Sequence, residues 1–167
     1  MNPDWVVKKV TYETTQGRAP PYLIYLDHEA HDIVLAIRGL NLVKESDYAV
    51  LLDNKLGKKM FDGGYVHNGL LKSATWLITA ESETLKDLIE KNPSYTLTFA
   101  GHSLGSGVAA LLTLVVANNK GEMGNIPKSK IKCYVVTPVR CGVCSLIWRI
   151  NLILKYCNNQ FTIWTLS

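Results

Sequence analysis

The chain is most unusual for what is missing after residue 103. From Leu104 to Ser167 it has no aspartate and no histidine, and Glu122 is the only acid. Long apolar runs are missing as well. No stretch reaches the roughly 18 residues of a membrane span, and the nearest approach, Val143 to Leu154, is broken by Arg149 and Asn151. The opening MNPDWVVKKV has no apolar segment of the kind a secretory signal carries. No glycosylation acceptor is usable, because Pro93 follows Asn92. These absences set an intracellular, cytoplasmic protein as the expectation, with peripheral contact with a membrane or lipid surface as the limit of any membrane role. Phosphate-binding signatures are absent too. There is no G-x-x-x-x-G-K-[ST], and the glycines do not fall as G-x-G-x-x-G. The net charge of +4 is mild, with short lysine clusters at Lys58-Lys59 and at Lys128, Lys130 and Lys132. Without a binding motif that charge reads as solvated surface, and no nucleic-acid partner is expected.

Four cysteines, Cys133, Cys141, Cys144 and Cys157, fall in the last third. Cys141 and Cys144 have C-x-x-C spacing, but a redox role needs that motif at a helix start, and a zinc site needs a second tight pair. Unpaired thiols are the expectation, with no metal and no cofactor.

At 167 residues, 47% hydrophobic and 19% charged, the chain has enough material for one domain with a core. Tyr22–Leu26 and Ile33–Ile37 are β-rich runs flanking the polar stretch 27–32, a hairpin pattern. Ser46-Asp47 is suited to cap a short helix running to Asp53. Residues 56–66 read as a loop. Asn68 to Lys91 carries Leu70, Leu71, Ala74, Leu77, Ile78, Leu85, Leu88 and Ile89 at helical spacing, and stops at Asn92-Pro93. Tyr95–Ala100 reads as a strand, Gly105–Asn118 as an apolar helix, 121–129 as a loop and Ile131–Val136 as a buried strand. Alternation of strand and helix predicts an α/β fold with a mostly parallel sheet.

Between the strand at 95–100 and the helix from 105 lies Gly101-His102-Ser103-Leu104-Gly105. G-x-S-x-G at a strand end and helix start is the pattern of a nucleophile elbow. The serine must occupy a sharp turn so that its hydroxyl projects. Side chains two residues before or after it would collide with the neighbouring strand and helix, hence Gly101 and Gly105. The N–H of Leu104 then stands at a helix N-terminus, where developing negative charge is favoured.

Three segments together resemble the plant class 3 lipase group, the fungal-lipase-like or diacylglycerol-lipase-like members of the α/β-hydrolases. They are Ile33 to Arg38-Gly39, Gly64-Tyr65-Val66-His67-Asn68-Gly69, and Leu97 to Val108 with its GHSLG. The resemblance runs from about residue 5 to residue 141. It implies an α/β-hydrolase-type sheet with flanking helices, and a serine ester hydrolase acting on acylglycerol-like lipids with no cofactor. Ser103 would form an acyl-enzyme, and the backbone N–H groups of Leu104 and Leu40 would form the oxyanion hole. Gly101, His102 and Gly105 would support the elbow. Many relatives carry Thr or Ser after Arg-Gly, where this chain has Leu40, so only the backbone donor is left there. The loop from Leu56 to Gly64 is the expected lid region.

The resemblance fails at the triad. Its chain order is Ser, then Asp or Glu, then His, and after Ser103 there is no aspartate and no histidine, only Glu122 in a loop soon after the elbow helix. Residues 1–141 therefore read as a partial lipase domain, incomplete at the C-terminal side, and 142–167 as a divergent tail of a truncated product. Of the four histidines, His28 and His31 fall in the hairpin turn, His102 is turned away from the hydroxyl, and His67 is the least unfavourable substitute base. Near-absence of activity in this chain is the expectation. The alternatives are a non-catalytic fragment or a lipid- or partner-binding module. Ser145 to Cys157 also has the composition of a basic amphipathic helix for a membrane surface. Oligomeric state is not legible in the sequence.

Overall fold

The computed structural model describes residues 2–53, 59–61, 64–118, 126–136, 152–157 and 161–166. In chain order the strands and helices are β1 (Val6–Val10), α1 (Tyr12–Thr15), β2 (Tyr22–Asp27), β3 (Asp32–Ile37), α2 (Glu45–Leu52), β4 (Lys59–Phe61), β5 (Gly64–Val66), α3 (Asn68–Lys91), β6 (Thr96–His102), α4 (Leu104–Asn118), β7 (Ile131–Val136), β8 (Leu152–Cys157) and β9 (Phe161–Leu166). Seven strands form one sheet in the order β1-β2-β3-β6-β7-β9-β8, and β4 pairs with β5 apart from it.

The expected hairpin is present, with Tyr22 opposite Ile37 and Asp27 opposite Asp32. The sheet is mixed rather than mostly parallel. Only β3–β6 and β6–β7 run parallel, and they are the pairs joined by helical crossovers, as parallel strands require. The outer pairings are antiparallel. β8 and β9 come from the segment expected to be a tail, and β9 lies beside β7 in this sheet.

One face of the sheet carries Ile33, Leu35, Leu97, Phe99, Ile131 and Cys133, all buried. They fall in register across β3, β6 and β7. α4 packs on this face and α3 packs on α4. α4 is buried nearly all round, from Leu104 to Ala117, as expected for a helix so poor in polar residues. At the far end from the elbow, Asp32 accepts hydrogen bonds from the Thr96 and Thr98 hydroxyls at 2.7–2.9 Å, fixing the β3–β6 register.

β1 is hidden in the sequence because Lys8 and Lys9 interrupt its apolar pattern. Lys8 lays its stem along the sheet and delivers Nζ to Glu81 of α3, at 2.8 and 2.9 Å. Glu81 is only 1% exposed, and the Tyr22 hydroxyl also donates to it, at 2.5 Å. Burial, then the hydrogen bond to Glu81 and its charge, push the Tyr22 phenol well above its usual range. The folded value lies above that of the unfolded chain, near 10, so the unfolded chain releases this proton first. Stability from this group is complete below pH ~10 and falls as pH rises beyond it. Phenolate absorbance is expected to show Tyr22 silent until the chain unfolds in alkali, and Tyr22→Phe is expected to flatten that loss. Ionisation of Tyr22 in the folded chain near pH ~10 would refute the buried pairing.

Three further expectations are corrected. The short helix α2 starts at Glu45 with Lys44 at its cap and no side-chain cap bond. Asp47 is drawn into the protein instead. Part of the expected 56–66 loop is the β4–β5 hairpin, with Met60 opposite Tyr65, while residues 54–58 and 62–63 lie outside the described residues. Of the helix read into Ser145–Cys157, Leu152–Cys157 form strand β8 instead, while residues 145–151, with Cys141 and Cys144, lie outside the described residues.

Candidate active site

β6 ends at His102 and α4 begins at Leu104, so Ser103 is the single residue that turns strand into helix. Its φ is +51°, a left-handed conformation that costs a non-glycine residue about 1–2 kcal/mol. Its backbone is held from both sides. The Ser103 N–H donates to the Val136 carbonyl on β7 at 2.9 Å. The Ser103 carbonyl accepts from the Ser106 N–H at 3.1 Å and the Ser106 hydroxyl at 2.5 Å.

The flanking glycines are required by close backbone approach. A Cβ on Gly101 would overlap the carbonyl of Gly105, and a Cβ on Gly105 would overlap the carbonyls of Ile37 and Arg38. The second contact locates the Arg38–Leu40 segment, which lies directly against the elbow. Gly39 confirms it from the other side, since a Cβ there would come within 2.8 Å of His102 Nδ1. His102 thus packs over Gly39, exposed to solvent. Leu40 is half-buried against the core, and neither its N–H nor that of Leu104 has an acceptor among the described residues. Two backbone N–H groups without acceptors, one directly after Ser103 and one in the segment that lies against the elbow, are of the kind an oxyanion hole uses.

A residue that the sequence pattern marks only as a helix cap anchors this segment. Asp47 is 1% exposed. Its Oδ2 accepts from the Asn41 N–H at 2.8 Å and from the Tyr12 hydroxyl at 2.7 Å, which ties the residue after Leu40 to α1 and α2. Burial first, then the hydrogen bond and charge of Asp47, push the Tyr12 phenol up to about 12. In the sequence Asp47 carries only a capping signal, and nothing local marks Asn41 and Tyr12 as its partners. Asp47→Ala leaves the Asn41 and Tyr12 donors without an acceptor, and is expected to cost about 1–3 kcal/mol. Chemical denaturation with an unchanged m-value would show it, and a loss near zero would refute the anchor.

The histidines do not meet the serine. His67 is buried as the cap of α3. Its Nδ1 accepts from the Leu70 N–H at 3.3 Å and its Nε2 lies 3.0 Å from the Leu51 carbonyl. Those partners require an Nε2–H tautomer and leave no lone pair for a base. His28 is exposed, with Nδ1 2.9 Å from the Tyr95 hydroxyl, and His31 stacks edge-on against Tyr95. Both sit at the end of the β2–β3 hairpin remote from the elbow. Among the described residues no histidine or carboxylate hydrogen-bonds to the Ser103 hydroxyl.

A strand–serine–helix elbow on a mixed sheet with packed helices defines an α/β-hydrolase. Comparison with known proteins narrows the class. The family model "Lipase (class 3)" matches residues 34–159, and the chain belongs to that family. Diacylglycerol lipase-beta of Mus musculus is 27% identical over 128 residues, 72% of this chain and 17% of that protein. Secreted mono- and diacylglycerol lipase A of Penicillium cyclopium is 30% identical over 115 residues, 66% of this chain and 34% of that protein. The chain therefore spans between about a sixth and a third of the length of these relatives. Among solved structures, a fungal lipase–inhibitor complex superimposes with a TM-score of 0.72 at 16% identity, covering 97% of this chain and 71% of that one. An N225Q mutant of the Penicillium cyclopium enzyme gives 0.51 at 28% identity, covering 68% and 39%.

Proposed function

We propose that this chain carries the nucleophile and oxyanion portion of a serine ester hydrolase acting on acylglycerol-like lipids. The observation that carries the reading is Ser103 at φ +51° between β6 and α4, with unpaired N–H groups on Leu104 and Leu40 beside it. In such a step the Ser103 oxygen attacks the ester carbonyl carbon, the two N–H groups hold the oxyanion, and the alcohol leaves as the acyl-enzyme forms. The substrate class is suggested by the relatives, a diacylglycerol lipase and a mono- and diacylglycerol lipase.

A serine needs a base to lose its proton, and removing a triad member lowers turnover by about 10⁴. This 167-residue chain has neither aspartate nor histidine after Ser103, and His67 is committed to its helix cap. Within this proposal, slow turnover is the expected outcome for the 167-residue chain taken by itself. That same observation favours the second reading, a lipid-binding fragment without turnover. Either reading places the substrate at a lipid surface. Leu42, Val43 and Leu52 support that placement, being 73%, 86% and 76% exposed on the segment that follows Leu40 and on α2.

The test is labelling with a fluorophosphonate, which requires a serine already activated by a base. Wild type and Ser103→Ala are expected to label equally weakly in folded samples. Strong labelling that vanishes in Ser103→Ala would overturn the inactivity and send the search to a base not yet named.

A further inference from the structure

A groove of about 490 Å³ lies across β1, β2 and β3, beside the segment that leads to Leu40. Its floor follows from strand register. Lys9, Leu23 and Ala36 are paired in a row across the three strands, and the next residues facing the same way are Pro21 and Arg38, joined by the Arg38 N–H to Pro21 carbonyl bond at 2.9 Å. This face of the sheet is opposite the one that carries α3 and α4, since the intervening row of Val10, Tyr22 and Ile37 is buried toward Glu81. Tyr12 closes one side. The volume falls within the range of sites for small apolar ligands, and three strands span about 10 Å across the ladder.

The charges at its edge have one sign left over. Lys9 and Arg38 make no ion pair among the described residues, although Arg38 lies over the Tyr12 ring at 5.8 Å. Glu13 is the one acid in the lining, and its carboxylate is bound by Thr11 and its own backbone N–H, which holds it below the usual carboxylate range. An apolar floor with unpaired cations at the rim suits a ligand with one apolar chain and one anionic head. We propose that this groove binds a long-chain fatty-acid carboxylate, with the chain over Leu23 and Ala36 and the head at Arg38. The choice of a fatty acid rests on the acylglycerol-lipid reading above, since lipids of that class carry long acyl chains and their carboxylates, and Arg38 lies in the same segment as Leu40. The groove itself does not use Ser103.

The experiment is calorimetric titration of the whole chain as Ser103→Ala, with oleate below its micelle concentration, beside oleyl alcohol as the uncharged match. Oleate is expected to bind more tightly than the alcohol. Lys9→Gln with Arg38→Gln is expected to weaken oleate by about tenfold or more while leaving the alcohol within about twofold. Ala36→Phe, which fills the floor, is expected to abolish both. If that variant does not fold, as judged by circular dichroism, Leu23→Ala is expected to weaken both ligands together. Equal binding of acid and alcohol, indifference to the cation pair, or no oleate binding would overturn the proposal. Because Ser103 is absent from the titrated chain, these outcomes are independent of whether the elbow ever forms an acyl-enzyme.

Discussion

Ser103→Gly is expected to raise the stability of this protein, while Gly105→Val is expected to abolish its fold. Ser103 occupies φ +51° and its hydroxyl has no protein partner among the described residues. Glycine releases the left-handed strain, worth about 1–2 kcal/mol, and gives back about 0.5–1 kcal/mol in chain entropy. A net gain of about 1 kcal/mol is left, read as a rise in melting temperature. A serine kept in a costly conformation with an unbonded hydroxyl is structurally unhelpful, which argues that the position serves chemistry. A fall in stability on Ser103→Gly would remove that argument. Gly105→Val acts in the opposite direction. A Cβ there overlaps the carbonyls of Ile37, at the end of β3, and of Arg38 just beyond it, which cannot move away without disturbing the Ile37–Gly101 end of the β3–β6 pairing. The cost is on the order of 3 kcal/mol or more. A valine variant with unchanged denaturation would mean that the Arg38–Leu40 segment does not lie against the elbow, and would undo the oxyanion geometry with it.

The elbow is legible in the sequence because its chemistry is spelled locally. Strand, tight turn and helix each need particular residues within a few positions, and Gly101, Ser103 and Gly105 supply them. The long helix α3 and the β2–β3 hairpin are legible for the same reason. What cannot be read depends on partners distant in sequence. Lys8 makes β1 look like surface until Glu81, 73 residues away, is seen to receive it. Asp47 looks like a helix cap until Asn41 and Tyr12 are seen to bind it. His67 looks available as a base because a sequence gives no account of where a ring's lone pairs are spent, and here Leu70 and Leu51 take both nitrogens. The sheet's mixed pairing is hidden because periodicity reports burial, not strand direction.

The sharpest test of the site separates its two halves. A thiol needs far less help from a base than a hydroxyl, since a few per cent of an ordinary cysteine is already thiolate at neutral pH. Ser103→Cys is therefore expected to be acylated by an activated short-chain ester at up to one acyl group per chain, in a burst with slow release. The wild-type serine, with no base against its hydroxyl among the described residues, is expected to show turnover no different from Ser103→Ala, about 10⁴-fold or more below an enzyme with a complete triad. Ser103→Ala also corrects for acylation at Cys133 and the other native thiols. The burst in Ser103→Cys would measure what the cradle contributes when the missing base is bypassed, because the Leu104 and Leu40 donors act on the oxyanion whichever atom attacks. Acylation of the introduced thiol no faster than that of a free thiol in solution would mean that those N–H groups are not aimed at the carbonyl oxygen, leaving the lipid-binding reading. Rapid turnover by the wild type would instead mean that a base reaches Ser103 from outside the described residues.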